Sequence, residues 1–339
     1  VGAQAQAEFV ALARPQAAGA GVASDSPQGL PGHTGPSGLW TRQRDKFSLS
    51  LGPYFSPIIG GPDAFVLYQF GLQAKAEYRI SDRTWLSGVV NWRLLDNFDK
   101  FTYDAPSSLP RVRTYMREYV TSSRVTVPNL QLTHVGQLTP NQYYSFYGGL
   151  LESMFAGVGA EWLYRPWGSR FAFGVDINRV RQRGFNQDLS LRDYEVTTGH
   201  ATLYWDTGWN GVFARIAAGQ YLAGDRGVTV SISRRFSNGL ELGAYATKTN
   251  VSAAQYGEGS FDKGIYISIP LDALLPRSTK YSAGFLWNPL TRDGGAMLSR
   301  DQRLYDLTSD TDSQAFKVGP PTETMPRSGD NLLDFETPP

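Results

Sequence analysis

Charged side chains recur at alternate positions inside otherwise apolar segments, and these are the first residues whose types and spacing could do chemistry. Lys75, Glu77 and Arg79 share one side of the run Val66–Ile80, and Glu161, Arg165, Asp176, Arg215, Arg235 and Glu241 hold equivalent places elsewhere. An apolar environment would make each of them costly, so a polar interior must receive them. There they would either fill the interior with salt bridges or line a path whose carboxylates and guanidiniums bind sugar hydroxyls. A second group, Arg111, Arg113, Arg117 and Arg124, falls in the connection Asn97–Arg124. Planar guanidiniums suit the carboxylates of an acidic polysaccharide or the phosphates of lipopolysaccharide, and a merely solvated loop is the alternative. Trp92 and Tyr221 offer aromatic faces for sugar rings, or for packing against lipid or core.

Catalysis is poorly served. The chain has three histidines and no cysteine. His33 lies in a Gly/Pro-rich stretch, and His134 and His200 lie on expected strands without a partner at metal-ligand spacing. Same-face neighbours on a strand lie two residues away. For His134 these are Leu132 and Gly136, and for His200 they are Thr198 and Thr202. No catalytic residue, metal or cofactor is therefore expected. An enzyme that modifies glycan or lipid stays open as an alternative, and it would need a partner for His134 or His200 on a neighbouring strand. Gly157-Val158-Gly159 lacks the helix that a dinucleotide site requires, so relief of crowding in a curved wall is the expected role.

The elements that must position these residues are strands. Along Val66–Ile80, Val66, Tyr68, Phe70, Leu72, Ala74, Ala76, Tyr78 and Ile80 form one face, opposite Leu67, Gln69, Gly71, Gln73, Lys75, Glu77 and Arg79. At ~3.3 Å per residue this run would span about 50 Å, more than an ordinary soluble strand. The same period of two predicts strands at Lys46–Phe55, Phe65–Ile80, Thr84–Asp96, Val125–Leu138, Gln142–Leu151, Phe155–Arg165, Arg170–Arg181, Tyr194–Asp206, Gly211–Leu222, Gly227–Phe236, Leu240–Asn250, Lys263–Pro270 and Thr279–Asn288, with a weak last strand at Met297–Leu307. Short turns at 81–83, 139–141, 166–169, 206–210 and 237–239 alternate with mostly longer connections, as in outer-membrane barrels. The expected fold is a transmembrane antiparallel β-barrel of about 12 to 14 strands. A soluble two-sheet sandwich shares the alternation but has no reason to sort its loops. Trp85, Trp162, Tyr164, Trp167, Tyr204, Trp205, Trp209 and Trp287 stand near strand ends and are expected to form interfacial girdles.

Composition agrees with this organisation. Mean hydropathy is −0.32, and no apolar stretch is long enough for a spanning helix. A net charge of +1 excludes the basic footprint of a nucleic-acid-binding protein. Residues 1–45 read as a Gly/Ala/Pro-rich arm or linker, 46–308 as the barrel and 309–339 as a disordered tail. No secretion signal is visible at Val1–Gly21, so an exported form would be a mature chain or a fragment.

The segment Tyr221–Pro270, with its GEGSFDKG stretch at Gly257–Gly264, is similar to the C-terminal part of the YjbH-type exopolysaccharide and capsule proteins. Pro128-Asn129-Leu130, the run from Leu150 to Pro166 and NPLTRDGG at Asn288–Gly295 carry the same resemblance, which covers roughly Lys46–Leu307. It implies a bacterial outer-membrane location and a non-catalytic part in exopolysaccharide or capsule secretion or assembly. It further implies contact with polysaccharide, outer-membrane lipid or lipopolysaccharide, and other secretion proteins. A plugged barrel that docks a separate exporter is the alternative. Members are typically about twice this length with two barrel-like parts, and some are lipoproteins, although this chain has no cysteine for a lipid anchor.

Overall fold

The computed structural model describes residues 6–8, 46–59, 63–104, 107–256, 261–270, 282–288 and 292–308. Most of the arm, with His33, and the tail at 309–339 lie outside the described residues, as do parts of the GEGSFDKG and NPLTRDGG segments. The strands are β1 (Gln6–Glu8), β2 (Phe47–Ile59), β3 (Val66–Ser81), β4 (Thr84–Asp96), β5 (Val125–Thr139), β6 (Gln142–Leu150), β7 (Phe155–Tyr164), β8 (Phe171–Arg183), β9 (Leu191–Asp206), β10 (Val212–Gln220), β11 (Arg226–Arg235), β12 (Glu241–Thr249), β13 (Asp262–Pro270) and β14 (Ser282–Asn288). Among the described residues three short α-helices accompany them: α1 (Met116–Thr121), α2 (Ala253–Tyr256) and α3 (Leu304–Leu307).

From β2 to β14 every strand pairs antiparallel with the next, so the fold is an all-β meander rolled into a barrel. Among the described residues the edges of this thirteen-strand sheet do not pair with each other. Between them lies β1, whose Glu8 stands opposite Ile58 on one side and Leu286 on the other. Among the described residues that three-residue strip completes the ring.

The polarity of the wall is inverted relative to a soluble sandwich. Phe70 and Leu72 are 38% and 46% exposed on the outside, as are Val175 and Ile177 of β8 and Val228, Val230 and Ile232 of β11. Their alternates are polar and buried: Asp176 and Asn178 on β8, Thr229, Ser231 and Ser233 on β11. Period-two side chains facing opposite ways across one sheet produce this arrangement directly. A greasy outside and a polar inside is the solution required when the surrounding solvent is apolar.

The connections sort by end. Tight turns join β3 to β4, β5 to β6, β7 to β8, β9 to β10 and β11 to β12 at one end. At the other, the connections fold inward over the mouth. Val112 and Tyr119 from the long β4–β5 connection pack with Leu151, Met154, Phe155, Leu222, Ala296 and Leu298 in the main apolar cluster. The main hydrophobic cluster is therefore a cap at the mouth rather than a layer between sheets.

Two expectations are corrected. Met297–Leu307 is no strand: residues 292–308 leave the wall and run through the lumen, ending in α3. Its backbone groups are met by inward-facing side chains, so no strand partner is needed. Trp85 and Tyr204 are not girdle residues, because both rings are buried, at 6% and 4% exposure. Tyr204 instead stacks on Tyr305 of the lumen segment at 4.0 Å. Trp167, Trp205 and Trp209 do lie on the outside near the tight turns, with Trp162 stacked on exposed Tyr164.

Candidate functional site

The register of β7, β8 and β9 brings Glu161, Asp176 and His200 into one row across the inner wall, since Glu161 stands opposite Asp176 and Asp176 opposite His200. Two buried carboxylates side by side need a cation. Arg300 from the lumen segment supplies it, bonding Glu161 Oε2 at 2.9 Å and reaching Asp176 Oδ1 at 3.4 Å. The same guanidinium donates to the Tyr147 hydroxyl. Asn178 Nδ2 donates to Asp176, and the backbone N–H of Leu304 donates to Glu161. Arg300 thus locks a segment more than a hundred residues away in sequence onto this wall.

The mouth is stapled by a second buried guanidinium. Arg183, fully buried at the end of β8, donates to the carbonyls of Val127, Pro128, Glu152, Gln187 and Asp188. It thereby ties the β6–β7 and β8–β9 connections to the start of β5. Asp293 joins the lumen segment to the β4–β5 connection by accepting from the N–H groups of Val112, Arg113 and Thr114 and from Thr114 Oγ1. Burial pushes the Tyr119 phenol up to about 12, and its hydroxyl donates to the Arg183 carbonyl.

Against the β10–β14 side the lumen segment fits less closely. A cavity of about 340 Å³ remains there, lined by Arg215, Thr229, Tyr245, Asp262, Arg292 and Arg303 among others. Asp262 accepts from Tyr245 Oη and Asn288 Nδ2.

The residues singled out from sequence are distributed unevenly over this architecture. Glu161 and Asp176 meet at Arg300, and Arg215 lines the cavity. Arg165 donates to the Tyr305 carbonyl and Thr308 Oγ1, gripping the far end of the lumen segment. Lys75, Glu77 and Arg79 remain on the inner face of β3, where Glu77 and Arg79 pair at 2.9 Å away from the cluster. Arg235 and Glu241 pair at 3.2 Å beside a tight turn, with Arg235 largely exposed, so its place is not the lumen interior. The loop arginines are not a free cationic surface. Arg113 holds Glu152 in a bidentate pair, Arg111 pairs with Asp104, and Arg117 reaches Glu118 and the Thr102 carbonyl. Arg124 is exposed at the start of β5.

His200 and His134 both find neighbours that their own strands could not provide. His200 Nδ1 lies 4.0 Å from Asp176, while its Nε2 is buried without a hydrogen-bond partner among the described residues. His134 Nδ1 lies 2.9 Å from Thr84 Oγ1. Neither arrangement is a relay of nucleophile, base and orienting acid among the described residues. Arg300, Arg183, Asp293 and Arg303 were not among the candidates. For Arg300 and Arg303 the signal was a concentration of charge in the segment Met297–Leu307, read as a strand; Arg183 and Asp293 lie outside it.

These features define a class: an antiparallel β-barrel with an apolar exterior and a polar lumen occupied by the chain that follows its last strand. Residues 5–310 match the family described as "Exopolysaccharide biosynthesis protein YbjH", and the chain belongs to this YjbH family. It is 44% identical over 278 residues to "Uncharacterized lipoprotein YjbH" of Escherichia coli (strain K12), a match covering 80% of this chain. The chain spans 40% of that relative's length. Among solved structures it is similar to a loop L8 deletion mutant of OmpT, an outer membrane protein of Vibrio cholerae, at TM-score 0.36 and 11% identity, covering 72% of this chain and 98% of that one. It is also similar to Pseudomonas aeruginosa OpdL, at TM-score 0.35 and 11% identity over 73% of this chain and 88% of that one. Salmonella typhi OmpF in complex with daunomycin gives TM-score 0.35 and 12% identity, over 71% and 96%.

Proposed function

We propose that this chain is a plugged outer-membrane β-barrel that assists exopolysaccharide secretion or assembly as a non-catalytic component, docking other proteins of the secretion machinery. Family membership supports the link to exopolysaccharide biosynthesis. The exposed apolar face of β3, β8 and β11 around a polar lumen supports insertion in a bilayer. The observation that carries the plugged reading is the course of residues 292–308, which pack at the mouth through Ala296 and Leu298 and reach the tight-turn end at Leu304 and Tyr305. A barrel so filled contributes a surface and a binding wall rather than a wide aqueous path. The polar lumen and the inward-folded connections are its sugar-facing surfaces, with lipopolysaccharide and membrane lipid meeting the outside.

Conductance of the purified chain in planar bilayers tests this reading. The intact protein is expected to give no sustained current, and Arg300→Ala is expected to give intermittent openings as the lumen segment loosens. A steady, porin-like current from the intact chain would overturn the plugged reading. Heat-modifiable gel migration of detergent-folded protein checks the barrel itself.

A further inference from the structure

The cavity beside the lumen segment has an unusual charge balance. Arg113, Arg215, Arg292 and Arg303 contribute to its lining, against the single carboxylate of Asp262. Arg113 is neutralised by Glu152 and Asp262 is held by Tyr245 and Asn288. The guanidiniums of Arg215 and Arg303 have no hydrogen bond or ion pair among the described residues. Both line this one cavity, Arg215 from β10 and Arg303 from the residue preceding α3. Two half-buried arginines lining one cavity without a paired carboxylate favour an anion between them. Elsewhere in the same lumen the chain meets this requirement with its own carboxylates, as at Arg300.

We infer that this cavity is a binding site for an acidic sugar unit, whose oxyanion bridges Arg215 and Arg303. A guanidinium offers a planar fork of donors that matches a carboxylate, and two of them clamp it from both sides. A volume of about 340 Å³ falls at the small end of ligand pockets, which suits one or two sugar units rather than a long chain. Thr229, Tyr245 and Thr247 place hydroxyls on the lining for the sugar's own hydroxyls, and Leu286 and Met297 add apolar surface. The oxyanion site follows from the lumen geometry alone, while its assignment to a sugar rests on the proposed part in exopolysaccharide secretion.

Isothermal titration of the full chain in detergent, with D-glucuronate, D-glucose and inorganic phosphate as separate probes, tests the inference. Glucuronate should bind, and glucose should not. Arg215→Gln and Arg303→Gln should each weaken glucuronate by at least about tenfold, the loss expected for one charge-assisted contact. The melting temperature of ligand-free Arg303→Gln should stay unchanged or rise, since a like-charge contact is removed, so a folding defect cannot mimic the result. Phosphate binding as tight as glucuronate would reduce the cavity to a simple oxyanion site and overturn the sugar assignment. Undiminished glucuronate binding in both variants, or none in the intact chain, would overturn the site. Normal exopolysaccharide secretion by cells lacking the protein would overturn the secretion role while leaving a measured oxyanion site intact.

Discussion

The two walls of the lumen treat the same inserted segment in opposite ways. On the β7–β9 wall, Arg300 sits between Glu161 and Asp176, with Asn178 and Tyr147 completing the hydrogen bonds. On the β10–β14 wall, Arg303, three residues further along, shares a cavity with another arginine, Arg215. A buried charge with matched partners holds a segment in place, and one without them stores unfavourable energy until a counter-charge arrives. The contrast separates anchoring from binding within one short stretch of chain. Residues 292–308 are an anchor on one side and half of a receptor on the other.

The comparison breaks most visibly at Arg300. Arg300→Met should leave Glu161 and Asp176 buried beside each other without a cation, at a cost of roughly 3–5 kcal/mol. The temperature of the heat-modifiable gel shift would report it. An unchanged shift would mean that the carboxylates are neutralised some other way. Arg183→Met should rank next, at about 3 kcal/mol, because several buried carbonyls at the mouth lose a charged donor together. Its signature should be local as well, with faster proteolysis in the 184–190 connection than in the wall. Arg215→Met makes the same chemical change on the opposite wall and should have the opposite sign. Removing a half-buried cation that has no ion pair among the described residues should raise stability by about 1 kcal/mol. Destabilisation comparable to that of Arg300→Met would show that Arg215 is already paired, and the two walls would then not differ.

The wall was largely legible in the sequence because its information is local. Strict alternation in Val66–Ile80 and Val228–Ile232 states which side chains share a face, and an apolar face that alternates with Lys75 or Ser231 implies a polar interior. Strand parity also carried a signal that the girdle assignment overlooked. Tyr204 lies between Leu203 and Trp205, both exposed, so it must face inward. The lumen segment was not legible in the same way. Met297 and Leu298 stand side by side and Leu304 follows only after a polar run, so the segment lacks the alternation of the wall, and the partners of Arg300 lie 139 and 124 residues away. Nothing local distinguishes an arginine that will find two carboxylates from one that will face another arginine. The His200–Asp176 contact was hidden for the same reason, since it depends on the β8–β9 register.

The smallest effect concerns the outer side of the mouth, where the β4–β5 connection is tied down by exposed rather than buried carboxylates. The hydrogen bond from Arg111 is the main cause holding the Asp104 carboxyl below its ordinary range. At Asp63, desolvation acts to raise the pKa. Hydrogen bonds from Thr102 Oγ1 and from the amides of Tyr103 and Thr102 outweigh it, and the net shift is downward. Both groups bind protons less readily in the folded chain than in the unfolded one. Their contribution is therefore complete above the unfolded carboxylate pKa, about 4, and is lost as pH falls through the lower folded values. Solvent screening keeps that contribution small, so global melting should barely move. Hydrogen exchange of amides 97–104 should accelerate only below about pH 4, once the intrinsic pH dependence of exchange is removed. Loosening that begins near neutrality would assign this tether to a different group. Loosening that spreads at once to the amides around Arg300 would show that mouth and lumen open as one unit, and that the anchored wall is no more stable than the loop above it.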